Sequence, residues 1–144
     1  CWRRAGGTRN EEINSGKPRM IYGIGTDLVE PSRIASLLDR HGKRFAKRIL
    51  TDSEWPEFMS SGKKAMFLAK RFAAKEAFSK AMGTGLRHPV NLNYIGVAHD
   101  HLGKPYYDFH PELEVLIKNE GITSHHLSMS DEINLACAFV ILEK

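Results

Sequence analysis

The stretch of this chain with the strongest preference for one secondary structure is FLAKRFAAKEAFSKAMGTG, residues 67–85. It is rich in Ala, Lys, Phe and Met and contains neither Pro nor Gly before Gly83, so it predicts one long helix over about residues 65–82. Gly83 and Gly85 are expected to end this helix. A chain of 144 residues is long enough for one domain, so the other elements are expected to pack around the long helix.

The segments before the long helix predict one strand and three short helices. The segment MIYGIGTDLV (residues 20–29) is typical of a strand, in which Gly23 and Gly25 permit the close approach of another backbone. Pro31 suits the first turn of one helix, and Thr51 and Glu54 suit a capping box at the start of another. The segment KRFAKRIL between them predicts a further short helix.

The second half of the chain consists of short apolar runs separated by turn residues, which predicts strands. The predicted strands are NLNYIGVAHD, KPYYDFH, SHHLSMS and LACAFVILE, and PELEVLIKNEG is predicted to be a helix. The predicted fold class is therefore α+β, with a small antiparallel sheet packed against the long central helix. We predict a single domain over residues 20–144 and a disordered N-terminal extension or tag over residues 1–19.

Charge and cysteine content restrict the classes of partner and compartment. The net charge of +4 favours anionic partners such as nucleic acid, phosphorylated metabolites or an acidic protein. Two cysteines are too few for a disulfide framework, and no apolar run approaches the ~18 residues that a membrane span needs. Residues 1–19 are polar and do not have the pattern of a signal peptide. We therefore expect a cytoplasmic protein.

Glu76 is the one acidic residue in the basic long helix. At 100° per residue it shares a stripe with Phe72, Ser79, Lys80 and Gly83. One interpretation is a solvated helix in which Glu76 pairs with Lys80. The other is a carboxylate that holds a divalent cation, surrounded by cationic side chains that hold phosphates. The flanking cationic residues are Lys70, Arg71 and Lys75.

The metal interpretation needs a second carboxylate, and Asp27 is the best candidate. Asp27 follows GIGT near the end of the first predicted strand, where small residues leave the backbone open to a ligand. The alternative is an Asp that closes a strand or a turn. The GIG segment lacks the third Gly of a dinucleotide-binding loop, and the scattered histidines lack the further ligands of a zinc site.

Three blocks of this sequence resemble the bacterial holo-acyl-carrier-protein synthases, which belong to the 4′-phosphopantetheinyl transferase superfamily. The blocks are IYGIGTDLVE (21–30), FLAKRFAAKEAFSKAMGTG (67–85), and LSMSDE with ACAFVILE (127–143). The segments RILTDSEW and LGKPY also match the family. The resemblance covers essentially all of residues 20–144 and implies the phosphopantetheinyl transferase fold.

The resemblance implies a reaction that the residues alone do not name. Such enzymes transfer 4′-phosphopantetheine from coenzyme A to a serine of apo-acyl carrier protein in fatty acid biosynthesis, and they release 3′,5′-ADP. Asp27 and Glu76 match the family's ligands of Mg²⁺, with Mn²⁺ as the alternative metal. Lys80 matches a catalytic residue that contacts the phosphates of coenzyme A. The general base stays open between Glu76 and a water on the cation.

Further residues match the family's contacts with coenzyme A. Arg71 matches a second residue that contacts the phosphates, and Ser79 and Gly83 match the wall against the nucleotide. The family works as a homotrimer with each active site between two subunits, so Ser130 and Asp131 are expected to close the site of a neighbouring subunit. Some members carry a histidine at the position of Asp131 that touches the 3′-phosphate. An Asp cannot do so without a cation, so its role stays open.

The basic residues outside the predicted pocket suggest how the carrier protein binds. Arg33 and Arg40, on the first predicted helix, match family positions that dock the acidic acyl carrier protein. Two rival functions are a basic nucleic-acid-binding module, which leaves Glu76 unexplained, and a non-catalytic trimeric scaffold that binds coenzyme A. We expect neither nucleic acid nor a membrane among the partners.

Overall fold

The computed structural model of the chain describes residues 18–144. The predicted disorder of the N-terminal extension therefore lies almost entirely outside the described residues. In chain order the elements are β1 (Ile21–Val29), α1 (Pro31–His41), α2 (Lys43–Ile49), α3 (Trp55–Ser60), α4 (Lys64–Met82), a 3₁₀ turn (Leu92–Tyr94), β2 (Ile95–His99), β3 (Pro105–Phe109), α5 (Pro111–Asn119), β4 (Ser124–Glu132) and β5 (Leu135–Glu143).

The central helix α4 has the bounds that its composition predicts. It ends at Gly83, whose φ of 73° lies in the left-handed region and whose N–H donates to the carbonyl of Lys80. More than half of its residues are buried, and five of these are alanines. Small side chains let the sheet pack close to the helix axis, so α4 forms the centre of the core.

In the described residues, five strands form two antiparallel sheets. The larger sheet has the order β1-β5-β4, so the first strand pairs with the last one, and β2 and β3 form a separate hairpin. The backbone N–H of Tyr107 on β3 donates to Nε2 of His125 on β4, which connects the hairpin to the larger sheet. One face of the larger sheet covers α4. Its side chains from β5 are all fully buried: Ala136, Ala138, Val140 and Leu142.

The two glycines of β1 lie where the strand crosses α4. A Cβ atom on Gly25 would overlap the carbonyl oxygen of Ala77, and one on Gly23 would overlap that of Ala81. Only glycine therefore permits this contact between strand and helix. The predicted role of the two glycines, to permit the close approach of another backbone, therefore agrees with the packing of β1 on α4.

The predicted fold class is confirmed, because antiparallel strands pack against one long helix. Some boundaries differ from the prediction. Helix α3 begins at Trp55 rather than at Thr51, because residues 52–54 form a turn. The segment predicted as a strand from residue 91 begins with the 3₁₀ turn. No helix in the described part of the chain is long and apolar enough to cross a bilayer.

Candidate active site

Three of the predicted site residues come together where β1 passes the C-terminal half of α4. Nζ of Lys80 lies 2.9 Å from Oδ1 of Asp27 and donates to the carbonyl oxygen of Thr26 at 3.0 Å. The pKa of the nearby Glu76 carboxyl is raised by burial and then by the negative charge of Asp27, while Lys80 opposes the shift. The two carboxylates are therefore close enough to interact, although 49 residues separate them in sequence.

Asp27 and Glu76 line one open cleft, which we call the carboxylate cleft. Its volume is about 460 Å³. Strand β1, helix α1 and helix α4 form its sides, and Phe45 and Phe72 give it an apolar wall. Arg33 of α1 also lines it. The cleft thus places three acids, Asp27, Glu30 and Glu76, and one arginine beside apolar surface.

The alternative interpretation of Glu76, a surface pair with Lys80, does not describe the structure. Lys80 forms its ion pair with Asp27, and between the described side chains of Glu76 and Lys80 there is no ion pair within 4.0 Å. The ammonium group thus crosses from the helix to the strand rather than along the helix. As a result Glu76 faces the carboxylate cleft without a cationic partner of its own among the described residues.

The donor set of the carboxylate cleft fits Mg²⁺. Mg²⁺ is usually bound by one or two carboxylates together with waters and substrate phosphate oxygens, and Asp27 and Glu76 supply such a pair. Burial is the main cause of the raised pKa of Glu76, and the neighbouring charge of Asp27 adds to it, because two adjacent carboxylates favour a proton or a cation between them. Within the described residues no group of three His, Cys, Asp or Glu side chains clusters, as a zinc site would require.

Arg71 lies in a different part of the molecule. Its side chain is 4% exposed and is held by two acids, with Nη1 at 3.1 Å from Glu54 and Nη2 at 2.6 Å from Glu57. Nη1 also donates to the carbonyl oxygen of Val97 on β2. The structure does not bring Arg71 together with Asp27, Glu76 and Lys80 within one chain, because it projects roughly 140° around the helix from Glu76.

Lys75 is also unavailable to a ligand. It is fully buried, and its Nζ donates to Oε1 of Glu54 at 2.6 Å and to the carbonyl oxygen of Ile49 at 2.5 Å. Burial lowers the pKa of Lys75 to about 8, although the charge of Glu54 opposes the shift. The idea that all the flanking lysines face a phosphate is wrong for Lys75, since its side chain enters the core.

Sequence reasoning missed the full role of Glu54. The Glu54 carboxylate accepts a hydrogen bond from the N–H of Thr51, which is one of the two contacts of the predicted capping box. It also binds the side chains of Lys75 and Arg71. A signal was present, because Leu68, Arg71, Lys75 and Phe78 recur at the spacing of one helix face. Two cations on an apolar stripe require buried acidic partners.

Lys70 and Arg71 of α4 line a second cleft together with Lys63, the residue before the helix, and we call it the basic cleft. Its volume is about 320 Å³, and it lies between α3, α4, β2 and β4. Asp131 of β4 forms an ion pair with Lys70 here, at 3.1 Å. Ser130 points to the opposite face of the sheet, as alternation along a strand requires, so the structure places only Asp131 in this cleft.

The residues predicted to form the nucleotide wall lie near the C-terminal end of α4. The Ser79 hydroxyl is buried and donates to the carbonyl of Glu76 at 2.7 Å. Gly83 is exposed and ends the helix one turn beyond Lys80. The structure therefore brings Gly83 near the site, while the Ser79 side chain is turned toward its own helix.

The residues predicted to bind a carrier protein are exposed on α1. Arg33 lines the carboxylate cleft, and Arg40 lies in the last turn of the helix. Helix α2 adds exposed basic residues that sequence reasoning did not single out: Lys43, Arg44, Lys47 and Arg48. We call the exposed basic residues of α1 and α2 the basic surface. Arg44 and Arg48 line a small pocket with Phe45, which also lines the carboxylate cleft, so this part of the basic surface adjoins the cleft.

Comparison with known proteins identifies the class. The model of the 4′-phosphopantetheinyl transferase superfamily matches residues 23–138, so the chain belongs to this superfamily. The holo-[acyl-carrier-protein] synthase of Nitrosospira multiformis is 73% identical over 125 residues, which are 87% of this chain and 100% of the relative. The holo-[acyl-carrier-protein] synthase of Nitrosomonas eutropha is 64% identical over the same shares of both chains.

Solved structures agree with this assignment. The crystal structure of holo-[acyl-carrier-protein] synthase from Neisseria meningitidis has a TM-score of 0.85 and 52% identity, and the match covers 87% of this chain and 100% of that one. The structure of the Bacillus anthracis protein in complex with CoA (3′,5′-ADP) has a TM-score of 0.72 and 38% identity, with coverage of 87% and 98%. The resemblance to holo-acyl-carrier-protein synthases, inferred from three sequence blocks, is confirmed.

Proposed function

We propose that this chain transfers the 4′-phosphopantetheine group from coenzyme A to a serine of apo-acyl carrier protein, in fatty acid biosynthesis. The observation that carries the proposal is the carboxylate cleft, which Asp27 and Glu76 line while Lys80 pairs with Asp27 at 2.9 Å. Two acids for a metal and one ammonium group for a phosphate are the parts that phosphoryl transfer requires. Family membership supports the same reaction.

In this proposal Asp27 and Glu76 hold Mg²⁺, or alternatively Mn²⁺. The chemistry that the ion supplies when bound is polarisation of a phosphoryl oxygen and withdrawal of charge from the leaving group. Lys80 is catalytic because its ammonium group, fixed by Asp27 and the carbonyl of Thr26, faces the same region and stabilises the negative charge of the pyrophosphate. These side chains lie on a strand and a helix, which hold them rigidly.

The transfer balances without a further reactant. The serine hydroxyl of the carrier protein attacks the β-phosphorus of coenzyme A, a new O–P bond forms, and the bond between that phosphorus and the bridging oxygen breaks. 3′,5′-ADP leaves with the bridging oxygen. The serine proton is taken up by a general base, for which Glu76 and a bound water are the two candidates.

We further propose a homotrimer in which each active site lies between two subunits. The carboxylate cleft and the basic cleft share no residue of the described chain, and they lie on different faces of α4. A single subunit therefore does not present Arg71 and Asp131 to the metal-binding pair, but a neighbouring subunit can. The outer face of the larger sheet offers an apolar contact surface, since Ile24, Leu28 and Phe139 are 60%, 62% and 43% exposed.

The basic surface of α1 and α2 is the proposed docking site of the carrier protein. Arg33 and Arg40 lie on it, and it borders the carboxylate cleft where the serine must arrive. Opposite charge raises the rate of encounter with an acidic partner, and the rate falls as salt screens the charges. Binding here would deliver the serine directly to Asp27 and Glu76.

Mass spectrometry of the carrier protein tests the proposed reaction. The protein is incubated with coenzyme A, Mg²⁺ and apo-acyl carrier protein, and the carrier is expected to gain one phosphopantetheine group only when the metal is present. Binding of coenzyme A without any product would instead indicate the non-catalytic scaffold. Affinity for DNA or RNA that falls steeply with salt, without transfer, would indicate the nucleic-acid-binding module. A cytoplasmic location and the absence of a membrane partner stay predictions.

A further inference from the structure

The β2–β3 hairpin is joined to β4 by a side chain rather than by a strand ladder. The two sheets are separate, and the backbone N–H of Tyr107 on β3 donates to Nε2 of His125 on β4 at 3.0 Å. The imidazole thus supplies the acceptor that the backbone carbonyl of a paired strand would otherwise supply. Because an imidazole gains a proton in mildly acidic solution and a carbonyl does not, this contact depends on pH.

The direction of this hydrogen bond fixes the protonation state of His125. A backbone N–H can only donate, so Nε2 has to carry a lone pair, and the one ring proton lies on Nδ1. An imidazolium ring carries a proton on both nitrogens. Protonation of His125 would therefore place two donors opposite each other and leave the N–H of Tyr107 without its acceptor, which is unfavourable at a partly buried position.

The surroundings of the His125 ring supply no acid that would compensate a positive charge. The ring centre lies 5.2 Å from that of Tyr107 and 5.6 Å from that of Phe109. A small cavity beside the ring, of about 60 Å³, is lined mainly by apolar side chains, among them Phe78 of α4 and Ile117 of α5. Of the described residues that line this cavity, His125 is the only one that titrates.

The titratable groups of the elements packed against the ring are neutral or point away from it. On β3, the hydroxyl of Tyr107 donates to the carbonyl of Ala74 on α4 at 2.6 Å, and burial holds its pKa well above the ordinary value. Asp108, between the two aromatic residues of β3, points to the other face of the strand and is exposed. The charged residues of α5 are exposed as well: Glu112, Glu114 and Lys118.

On the larger sheet, two titratable groups lie on the face away from the hairpin. His126 follows His125 on β4, and its Nε2 lies 3.5 Å from the Glu143 carboxylate of β5, which also accepts from the Ser124 hydroxyl at 3.0 Å. The pKa of His125 is lowered, first by burial and then by the charge of His126. The neutral imidazole is therefore the stable form at neutral pH.

The position of the hairpin matters for the basic cleft. Strand β2 carries His99, which lines the basic cleft, and Val97, whose carbonyl accepts from Nη1 of Arg71. Val97 and Tyr107 are direct partners in the hairpin, so a displacement of Tyr107 also moves Val97. A contact that holds Tyr107 on the larger sheet thus helps to fix one wall of the basic cleft.

We propose that His125 is a pH-sensitive switch of the hairpin: its neutral imidazole holds β3 on the larger sheet, and its protonation in mildly acidic solution releases the Tyr107 amide and loosens the hairpin. This switch does not depend on the proposed function. Because the pKa of His125 is lowered in the closed form, the released form binds a proton more readily. The closed form is therefore most stable above the ordinary pKa of histidine and becomes less stable as the pH falls below it.

Hydrogen exchange of the Tyr107 amide tests the switch. The exchange rate in the full chain is measured by NMR at about pH 7.5 and about pH 5.5, and each rate is divided by the intrinsic chemical rate at that pH. The protection of this amide in the wild type is expected to fall about 3-fold to 10-fold at the lower pH. One proton changes the opening equilibrium by at most about 10-fold per pH unit.

Two variants separate His125 from its neighbour. His125→Gln is expected to keep its protection at both pH values, because the amide oxygen of Gln can accept the same N–H and does not titrate. His126→Gln is the matched control and is expected to behave like the wild type, because His126 is half exposed on the other face of β4. Protection that does not change in the wild type, or that falls equally in His125→Gln, would overturn the proposal.

Two further measurements complete the test. His99 is another histidine whose pKa is lowered, so a pH dependence that disappears in His99→Gln and remains in His125→Gln would assign the effect to His99 and overturn the proposal. Nitrogen NMR of the wild-type ring needs no variant to fold. It is expected to show Nε2 of His125 without a proton at neutral pH, and a proton on Nε2 would contradict the switch.

Discussion

The ammonium group of Lys80 and the carboxylate of Asp27 form an ion pair at 2.9 Å, although 53 positions separate the two residues in sequence. The pair joins α4 to β1 beside Glu76, and it leaves Glu76 as the carboxylate without a cationic partner in the described cleft. The arrangement places one carboxylate without an ion pair beside an ammonium group that Asp27 holds in position.

Replacement of Glu76 by Gln is expected to abolish most of the transfer activity. The variant keeps the shape of the side chain but removes one of two charges that would hold the metal, so kcat/KM should fall by at least about 100-fold. The assay is the mass gain of acyl carrier protein over a range of Mg²⁺ concentrations. Activity like that of the wild type would contradict the metal assignment.

The melting temperature of the same variant, measured as a function of pH, tests the raised pKa of Glu76 without an activity assay. The pKa of Glu76 is higher in the folded state than in the unfolded state. At pH values between these two pKa values the folded state therefore binds more protons. The contribution of Glu76 to the free energy of unfolding consequently falls as the pH rises through that range. Without divalent cations, Glu76→Gln should therefore melt about 1–3 °C above the wild type at pH 7–8. This difference should disappear at low pH, where Glu76 is protonated. Added Mg²⁺ should raise the melting temperature of the wild type only.

Replacement of Lys80 by Met should separate catalysis from metal binding. Loss of one preorganised cation at the pyrophosphate should lower kcat by about 100-fold to 1,000-fold. Metal affinity should stay the same or improve, because the positive charge beside Asp27 is gone. Measurement of Mg²⁺ affinity by calorimetry beside kcat checks this. Weaker metal binding in the variant would show that Lys80 serves mainly to organise Asp27.

Replacement of Gly25 by Ala should destabilise the fold. The added methyl group would overlap the carbonyl oxygen of Ala77, so β1 or α4 has to move. We expect a loss of about 1–3 kcal/mol, or more, in the free energy of unfolding, measured by urea denaturation. Gly62→Ala is the matched control, because nothing lies within 4 Å of the added atom there. Equal stability of the two variants would show that the strand does not cross the helix this closely.

The two acidic partners of Arg71 should contribute very differently to stability. Glu54→Ala leaves Arg71 and Lys75 buried without their shared acid, so a loss of about 3–5 kcal/mol is expected. Glu57 also contacts Arg71, but its side chain is 60% exposed, and Glu57→Ala should cost less than about 1 kcal/mol. Chemical denaturation of both variants gives the comparison. Similar losses would mean that burial of Glu54 has little effect on its energetic role.

A charge on the outer face of the larger sheet should prevent trimer formation. Leu28→Asp places a carboxylate on the apolar surface proposed as the subunit contact, whereas Leu102→Asp changes an even more exposed leucine, at 82%, in the turn between β2 and β3. Light scattering after size-exclusion chromatography should give three chains for the control and one for Leu28→Asp. A Leu28→Asp trimer with full activity would move the subunit contact elsewhere.

Much of the fold follows from local patterns. The bounds of α4 follow from an uninterrupted run of helix-forming residues and a glycine that accepts a positive φ. The strands β1 and β5 follow from their apolar content, and the fold class follows from the mixture. The pairing of the first strand with the last cannot be predicted from local patterns, because no local pattern specifies which distant strand completes a sheet.

The candidate site was determined in part by sequence and in part by tertiary packing. Residue type and spacing make Asp27 and Glu76 candidates for a metal pair but leave the alternative of a surface ion pair open. The matching blocks favour the metal pair and name the reaction. Only the tertiary structure decides that Lys80 pairs with Asp27, that Lys75 and Arg71 turn toward Glu54, and that Lys70 meets Asp131. The physical reason is that a cation's partner depends on burial and on the elements packed against its helix. Spacing along α4 gives only the direction of each side chain.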